Sequence, residues 1–203
     1  MPVYPATLKL TGVTKGRVVV AVSVDAEGRV KDQLVVAYTD PHFVRTTTDV
    51  LNEWRFAPAR LDGEPVPVQF DLSFEYTLEG AVITAGIAEH FLYDTFTRAG
   101  NEALSYRPVK AVEIDRAPVR VDGKSPKYAL AAAKDGVRGT VMVRFYIDEK
   151  GNVRLPSVAN EGNIYLSEQA VTAVKDWKFE PVTRGGRPVL VAAQQEFNFG
   201  GGK

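Results

Sequence analysis

Two stretches of the chain alternate strictly between the faces of an extended strand. Val18, Val20, Val22 and Val24 alternate with Val19, Ala21 and Ser23, and Val141, Val143, Phe145 and Ile147 alternate with Met142, Arg144 and Tyr146. A sustained period of two predicts strands with one face on a core. Asp25-Ala26-Glu27-Gly28 and Asp148-Glu149-Lys150-Gly151 follow, with Asp to open a turn and Gly to accept positive φ at its end. Second strands are expected through Val30–Ala37 and Val153–Ala159, completing a hairpin in each place.

The period then changes to that of a helix. Phe43, Thr47, Val50, Leu51 and Trp54 form one apolar stripe after Asp40-Pro41, a cap followed by a proline suited to the first turn. Ala170, Val171, Val174 and Trp177 form the other, with Ser167 as the expected cap and Glu168 in the first turn. Thr46-Thr47-Thr48 forms helix poorly, because β-branched side chains lose rotamer freedom there; that helix is expected to depend on packing. Trp54-Arg55-Phe56-Ala57-Pro58 and Trp177-Lys178-Phe179-Glu180-Pro181 end the helices, since proline drives its predecessor out of helical space. In the final strand Val66, Val68, Phe70, Leu72, Phe74 and Tyr76 alternate with polar residues and Pro67. Val189, Val191, Ala193, Phe197 and Phe199 repeat that parity, with Gln195 breaking it opposite Leu72.

These parallels are one repeat. Shifting the chain by 123 positions aligns Gly16–Tyr76 with Gly139–Phe199 without a gap, and 15 of the 61 pairs are identical. The identities fall on glycine, proline, tryptophan and strand valines, the residues that set turns and cores. The expected fold is therefore α+β: two tandem ββαβ units, each a three-stranded sheet covered by one helix. The boundaries are expected at 1–78 and 112–203, with 79–111 connecting. Ile87, Phe91, Thr95 and Arg98, with Leu92 and Phe96 beside them, predict a helix from about Ala85 to Ala99 in that connecting segment.

Composition narrows the function. Lys+Arg 25 balances Asp+Glu 25, which lacks the basic footprint of a nucleic-acid binder or a polybasic membrane patch. Residues 1–78 carry 8 basic and 10 acidic groups and residues 112–203 carry 14 and 11, so the copies lie near −2 and +3. Zero cysteines remove disulfides, thiolate metal sites and a cysteine nucleophile. His42 and His90 stand too far apart in sequence for most histidine-based metal chemistry. No apolar run approaches the ~18 residues of a spanning helix. Met1-Pro2-Val3-Tyr4 shows no leader pattern, which fits either a cytoplasmic chain or one whose leader was removed.

Candidate chemistry is sparse. Trp54 and Trp177 close apolar stripes and read as core rather than ligand-stacking residues. Asp25, Asp148 and Asp62 each precede a turn glycine and read as turn residues. Gly185-Gly186 and Gly200-Gly201-Gly202 lack the strand–turn–helix context of a phosphate loop, and no serine sits in a nucleophile elbow. No enzyme, metal or cofactor is expected.

Tyr4-Pro5, Gly16-x-Val-x-Val, Asp25-x-x-Gly28-x-Val, Trp54-Arg55-Phe56-x-Pro58 and Gly63-x-Pro65-Val66 together resemble the C-terminal domain of TonB-type energy transducers. The second copy carries the same set from Gly139 to Val189, with Tyr128-Ala129 in place of Tyr-Pro, and Ile114-Asp115-Arg116-Ala117-Pro118 is similar to the usual lead-in. The resemblance implies a periplasmic, non-enzymatic interaction module of Gram-negative type, whose last strand takes up an extended segment of a partner. Such partners include an outer-membrane receptor or other envelope transport components. Full transducers carry an anchoring helix and a proline-rich spacer before this domain. These 203 residues display neither, so a soluble relative is expected, with any leader or anchor outside them.

The expected edge residues are Val66, Val68, Phe70, Leu72 and Phe74 in the first copy. In the second they are Val189, Val191, Ala193, Gln195 and Phe197. Strand addition needs such an edge, but Pro67, Pro188 and outward Asp71 and Glu75 equally suit an edge protected from pairing or paired in a homodimer. The alternative function is thus a self-associating structural scaffold of the periplasm with no peptide ligand. Gln195 is expected either to bond buried backbone or to be turned outward by a bulge.

Overall fold

A computed structural model describes residues 2–87, 104–128, 136–160 and 162–200. The chain divides into two compact units, Met1–Arg107 and Pro108–Lys203. Both are mixed α+β. Among the described residues, no helix is long and apolar enough to cross a membrane.

The first unit opens with a short helix α1 (Ala6–Leu10), the hairpin β1 (Lys15–Val24) and β2 (Val30–Tyr38), and helix α2 (His42–Glu53). A small hairpin of β3 (Ala59–Leu61) and β4 (Glu64–Val66) leads into β5 (Val68–Thr77) and then β6 (Gly80–Ile87). The sheet is antiparallel in the order β2-β1-β5-β6. Its α2 face buries Val18, Val20, Val22, Val24, Leu72, Phe74 and Tyr76 against Phe43 and Leu51, as the alternation requires. Asp40 Oδ1 accepts from the backbone N–H of His42 at 2.9 Å at the helix start. The threonine-rich turn is held from outside: the hydroxyls of Thr47 and Tyr76 meet at 2.6 Å in the core, and Thr47 also donates to the Phe43 carbonyl.

Three expectations for this unit are corrected. Its sheet has four strands, not three. Ala85–Ile87 belongs to β6 rather than to a helix, and the remainder of that expected helix lies outside the described residues. Asp71, expected to face outward, is buried, as is Ser73, because both share the second sheet face with Val19 and Ala21.

The second unit contains β7 (Arg120–Asp122), the hairpin β8 (Gly139–Ile147) and β9 (Val153–Val158), and helix α3 (Ile164–Lys175). After α3 come the short strands β10 (Lys178–Phe179), β11 (Thr183–Arg184) and β12 (Arg187–Pro188), then β13 (Val191–Phe199). The main sheet runs β13-β8-β9. Val141, Val143, Phe145 and Ile147 pack against Leu166, Ala170, Val174 and Trp177. The α3 cap is Asn163, not Ser167: its side-chain oxygen accepts from the N–H groups of Tyr165 (3.0 Å) and Leu166 (3.3 Å), and the helix starts one turn early.

The paired motifs make paired contacts. Asp25 Oδ1 accepts from the N–H of Arg29 at 2.8 Å, and Asp148 Oδ1 from that of Asn152 at 2.8 Å. Gly28 and Gly151 both hold φ +80, and an added Cβ would lie 1.9 Å from the Phe56 carbonyl oxygen and 2.0 Å from that of Phe179. The Phe56 N–H donates to the Gly28 carbonyl and the Phe179 N–H to that of Gly151, each at 2.9 Å. The Tyr4 hydroxyl donates to the Val13 carbonyl and that of Tyr128 to Val137, at 2.5 and 2.6 Å.

The two tryptophans differ in depth. Trp177 is 5% exposed, its Nε1–H donates to the Lys124 carbonyl at 2.8 Å, and the Arg120 guanidinium lies 4.3 Å from its ring centre. Trp54 is half-buried. Removing Trp177 leaves a cavity beneath α3 and orphans that carbonyl, so Trp177→Ala is expected to cost about 3–5 kcal/mol of folding free energy. Denaturant unfolding checks this, and an unchanged midpoint would refute the packing described.

Candidate partner-binding edge

The two last strands, equivalent by the repeat, meet different neighbours. In the first unit β5 is central. It pairs with β1 along one side from Lys15↔Thr77 to Val24↔Val68, and with β6 along the other from Phe70↔Ile87 to Thr77↔Gly80. The expected edge at Val68, Phe70, Leu72 and Phe74 is thus occupied by the chain itself, and Val66 sits apart in β4, paired with Ala59. That expectation is corrected: the two-residue connection Leu78-Glu79 turns the chain back and lays β6 along the outer side of β5.

In the second unit β13 is terminal. It pairs with β8 from Val191↔Ile147 to Phe199↔Gly139 without a bulge. On its other side, among the described residues, only Val109 pairs, bridging to Val191 in parallel and donating its N–H to the Leu190 carbonyl at 2.8 Å. That bond fixes the phase of the ladder. The Leu190 carbonyl points away from β8, and successive residues alternate direction. The backbone groups of Gln194, Glu196 and Asn198 therefore face the open side, while those of Ala193, Gln195 and Phe197 face β8. Val189 lies before the strand and donates to the Val182 carbonyl at 2.9 Å.

The side chains of β13 follow the expected parity with one departure. Val191 and Phe199 are buried, and Ala193 and Phe197 half-buried. Gln195 is exposed without any bulge, and its amide donates to the Glu196 carbonyl at 2.8 Å, so neither expected arrangement is the one found. A sheet-edge position lets a side chain reach water while keeping core-face parity, which a lone sequence cannot distinguish from burial. The acceptor it occupies lies on the open side.

Beside Gln195 is a cleft of about 520 Å3, lined among others by Phe145, Trp177, Phe179, Ala193 and Phe197. Trp177 and Phe197 lie 5.6 Å apart at 67°, and Phe145 and Phe179 lie 6.0 Å apart, stacked. Among the described residues, no group of three or more His, Cys, Asp and Glu side chains is placed to hold a metal. The sequence signal that was missed is Gly80–Ile87: small and β-branched residues following a two-residue turn are a strand pattern, which the apolar spacing beyond Ala85 obscured.

The start of β13 is positioned by the lead-in. Asp115 Oδ1 and Oδ2 accept from the N–H groups of Gly185 (2.8 Å) and Gly186 (2.9 Å) in the β11–β12 turn. Those N–H groups, with Gly186 foremost, and the Thr183 side chain hold its carboxyl below the usual 3.8.

A model of the family described as the Gram-negative bacterial TonB protein C-terminal matches residues 1–78 and 124–200. The chain is also similar to Protein TonB of Vibrio cholerae serotype O1 (strain ATCC 39315 / El Tor Inaba N16961), with 29% identity over 92 residues. That match covers 45% of this chain and 36% of the relative, so the chain spans little more than a third of the relative's length.

A carboxylate held low stabilises the fold above its ordinary range, and that stabilisation is lost as pH falls through the folded-state value. The melting point of Asp115→Asn is therefore expected to lie below that of the parent at pH 6, with the gap narrowing as the pH falls below the ordinary aspartate value of about 3.9. A gap that persists unchanged at low pH would remove the charge from this account. Thermal melts across the range decide it.

Proposed function

The chain belongs to the TonB C-terminal family, and from that membership we propose that it is a non-enzymatic protein–protein interaction module of the Gram-negative periplasm. It takes up an extended partner segment by strand addition. The observation that carries this reading is the outer side of β13, where no described strand pairs with Gln194, Glu196 and Asn198, next to a cleft lined by aromatic rings and by Arg120 and Ser125. Affinity comes from backbone hydrogen bonds and is tuned by side chains that alternate across the added strand. In the first copy the equivalent strand β5 is paired on both sides and offers no such edge. Outer-membrane receptors and other envelope transport components are the partner class that the family supports, and energy transduction is the process they would share.

Self-association is the competing use of the same edge, since two β13 strands would pair in a homodimer. The phase of the ladder makes the test clean. Proline at 196 removes an N–H that faces away from β8, so the sheet keeps its internal bonds, and proline is tolerated on such an edge. Glu196→Pro is expected to retain the fold and to lose at least tenfold in affinity for extended peptides selected by the parent, whereas Glu196→Ala is expected to bind within about threefold of it. If the folded proline variant binds those peptides as the parent does, strand addition at β13 is wrong. If light scattering instead shows a parent dimer that the variant abolishes, the edge serves self-association.

A further inference from the structure

The last strands of the two copies differ at two successive positions on the core face. In the first unit the cross-strand pair Val22↔Phe70 puts an aromatic ring on β5, edge-on to Phe56 at 5.3 Å and 81°. In the second unit the equivalent pair is Phe145↔Ala193. The ring has moved from the last strand to its inner neighbour, and the last strand retains only a methyl group. Two positions on, Leu72, which is 2% exposed, is replaced by the exposed Gln195. The cleft beside β13 lies where these two exchanges remove apolar volume from the edge.

The first unit also shows what belongs beside such a strand. There β6 supplies an antiparallel neighbour, with Ile83 opposite Phe74 and Ala85 opposite Leu72, and Ala81 and Ile83 pack against the core. Where β5 carries the large Leu72, the β6 residue opposite it is small. Shifted by the repeat, the same register sets Ile83 opposite Phe197 and Ala85 opposite Gln195. On β13 that place faces the outward-turned Gln195 with only the Ala193 methyl beside it, so the core face there has room for a larger neighbour.

We propose that the cleft is a side-chain pocket for an aromatic residue of the incoming strand, borne at the position paired with Gln195. This deepens the strand-addition reading and rests on it. The backbone groups of Gln195 face β8, so on the open side it forms a non-hydrogen-bonded pair, in which Cα atoms approach to ~4.5 Å and side chains lie closest. A side chain there falls on the cleft face, in the middle of the lining from Ala193 to Phe197. The lining includes the rings of Phe145, Trp177, Phe179 and Phe197 with the Arg120 guanidinium beside Trp177, and both the rings and the cation favour packing of another ring over an aliphatic chain. Docking also requires the Gln195 amide to leave the Glu196 carbonyl, where it bonds at 2.8 Å. An incoming backbone N–H takes that acceptor, and the released amide uncovers the cleft mouth.

The test uses the full chain and two capped peptides of the Glu79–Ile87 sequence, one as it stands and one with Ala85→Phe. Binding is followed by backbone amide shifts of Gln194, Glu196 and Asn198. The phenylalanine peptide is expected to bind at least tenfold more tightly than the alanine peptide, and A193F, which refills the cleft from within, is expected to erase that preference. A193L serves the same purpose if A193F does not fold. Equal affinity of the two peptides, with shifts at the three amides, overturns the pocket while leaving strand addition intact. A preference that survives A193F and A193L also overturns it. No shift at those amides with either peptide overturns strand addition at this edge and the pocket with it.

Discussion

Both units depend on one close approach, that of the helix-exit strand to the hairpin turn. The backbone at Phe56 lies against Gly28, and that at Phe179 against Gly151, so closely that no side chain fits at either glycine. Each turn carbonyl accepts the phenylalanine N–H at 2.9 Å. This contact explains why Asp-x-x-Gly and Trp-x-Phe occur together in each copy. The aspartate shapes the turn, the glycine admits the backbone, and the two aromatic residues that flank that backbone swing into the core. Helix, hairpin and last strand are thereby fixed relative to one another. The last strand is the element built on that frame and is free to vary at its outer side.

The copies have used that freedom differently. The first continues past its last strand through a tight turn and adds β6, which satisfies the outer row of backbone groups within the chain. An exposed edge is a template for pairing, and adding β6 moves that edge outward and leaves a four-stranded sheet whose second face is buried at its middle, at Val19, Ala21, Asp71 and Ser73. The second keeps three strands. Val109 covers only the beginning of β13, and the exchange of Phe70 for Ala193 and of Leu72 for Gln195 loosens the packing there. The repeat-equivalent last strands therefore differ: β5 lies inside its sheet, whereas β13 lies at the end of its own.

Much of this was legible in the sequence because turns and cores are locally coded. Alternating valines, Asp-x-x-Gly, and the proline after Trp-x-Phe each have one physical reading, and their recurrence at an offset of 123 makes each copy a check on the other. Long-range pairing was less legible. Nothing in Val68–Thr77 alone says whether a strand lies beyond it, and the segment that supplies that strand mixes small residues whose spacing also fits a helix. Gln195 shows the same limit, because parity gives the face of a side chain but not its distance from the sheet edge. Asn163 was overlooked as a cap because the apolar stripe starts later than the helix.

The central claim is that equivalent backbone groups are closed in one copy and open in the other. Amide hydrogen exchange on the intact protein, read residue by residue, tests it most directly. The account predicts that the amides of Asp71, Ser73 and Glu75, bonded toward β6, exchange orders of magnitude more slowly than those of Gln194, Glu196 and Asn198, while the β8-facing amides of Ala193 and Phe197 stay protected. Equal protection of the two sets would contradict it.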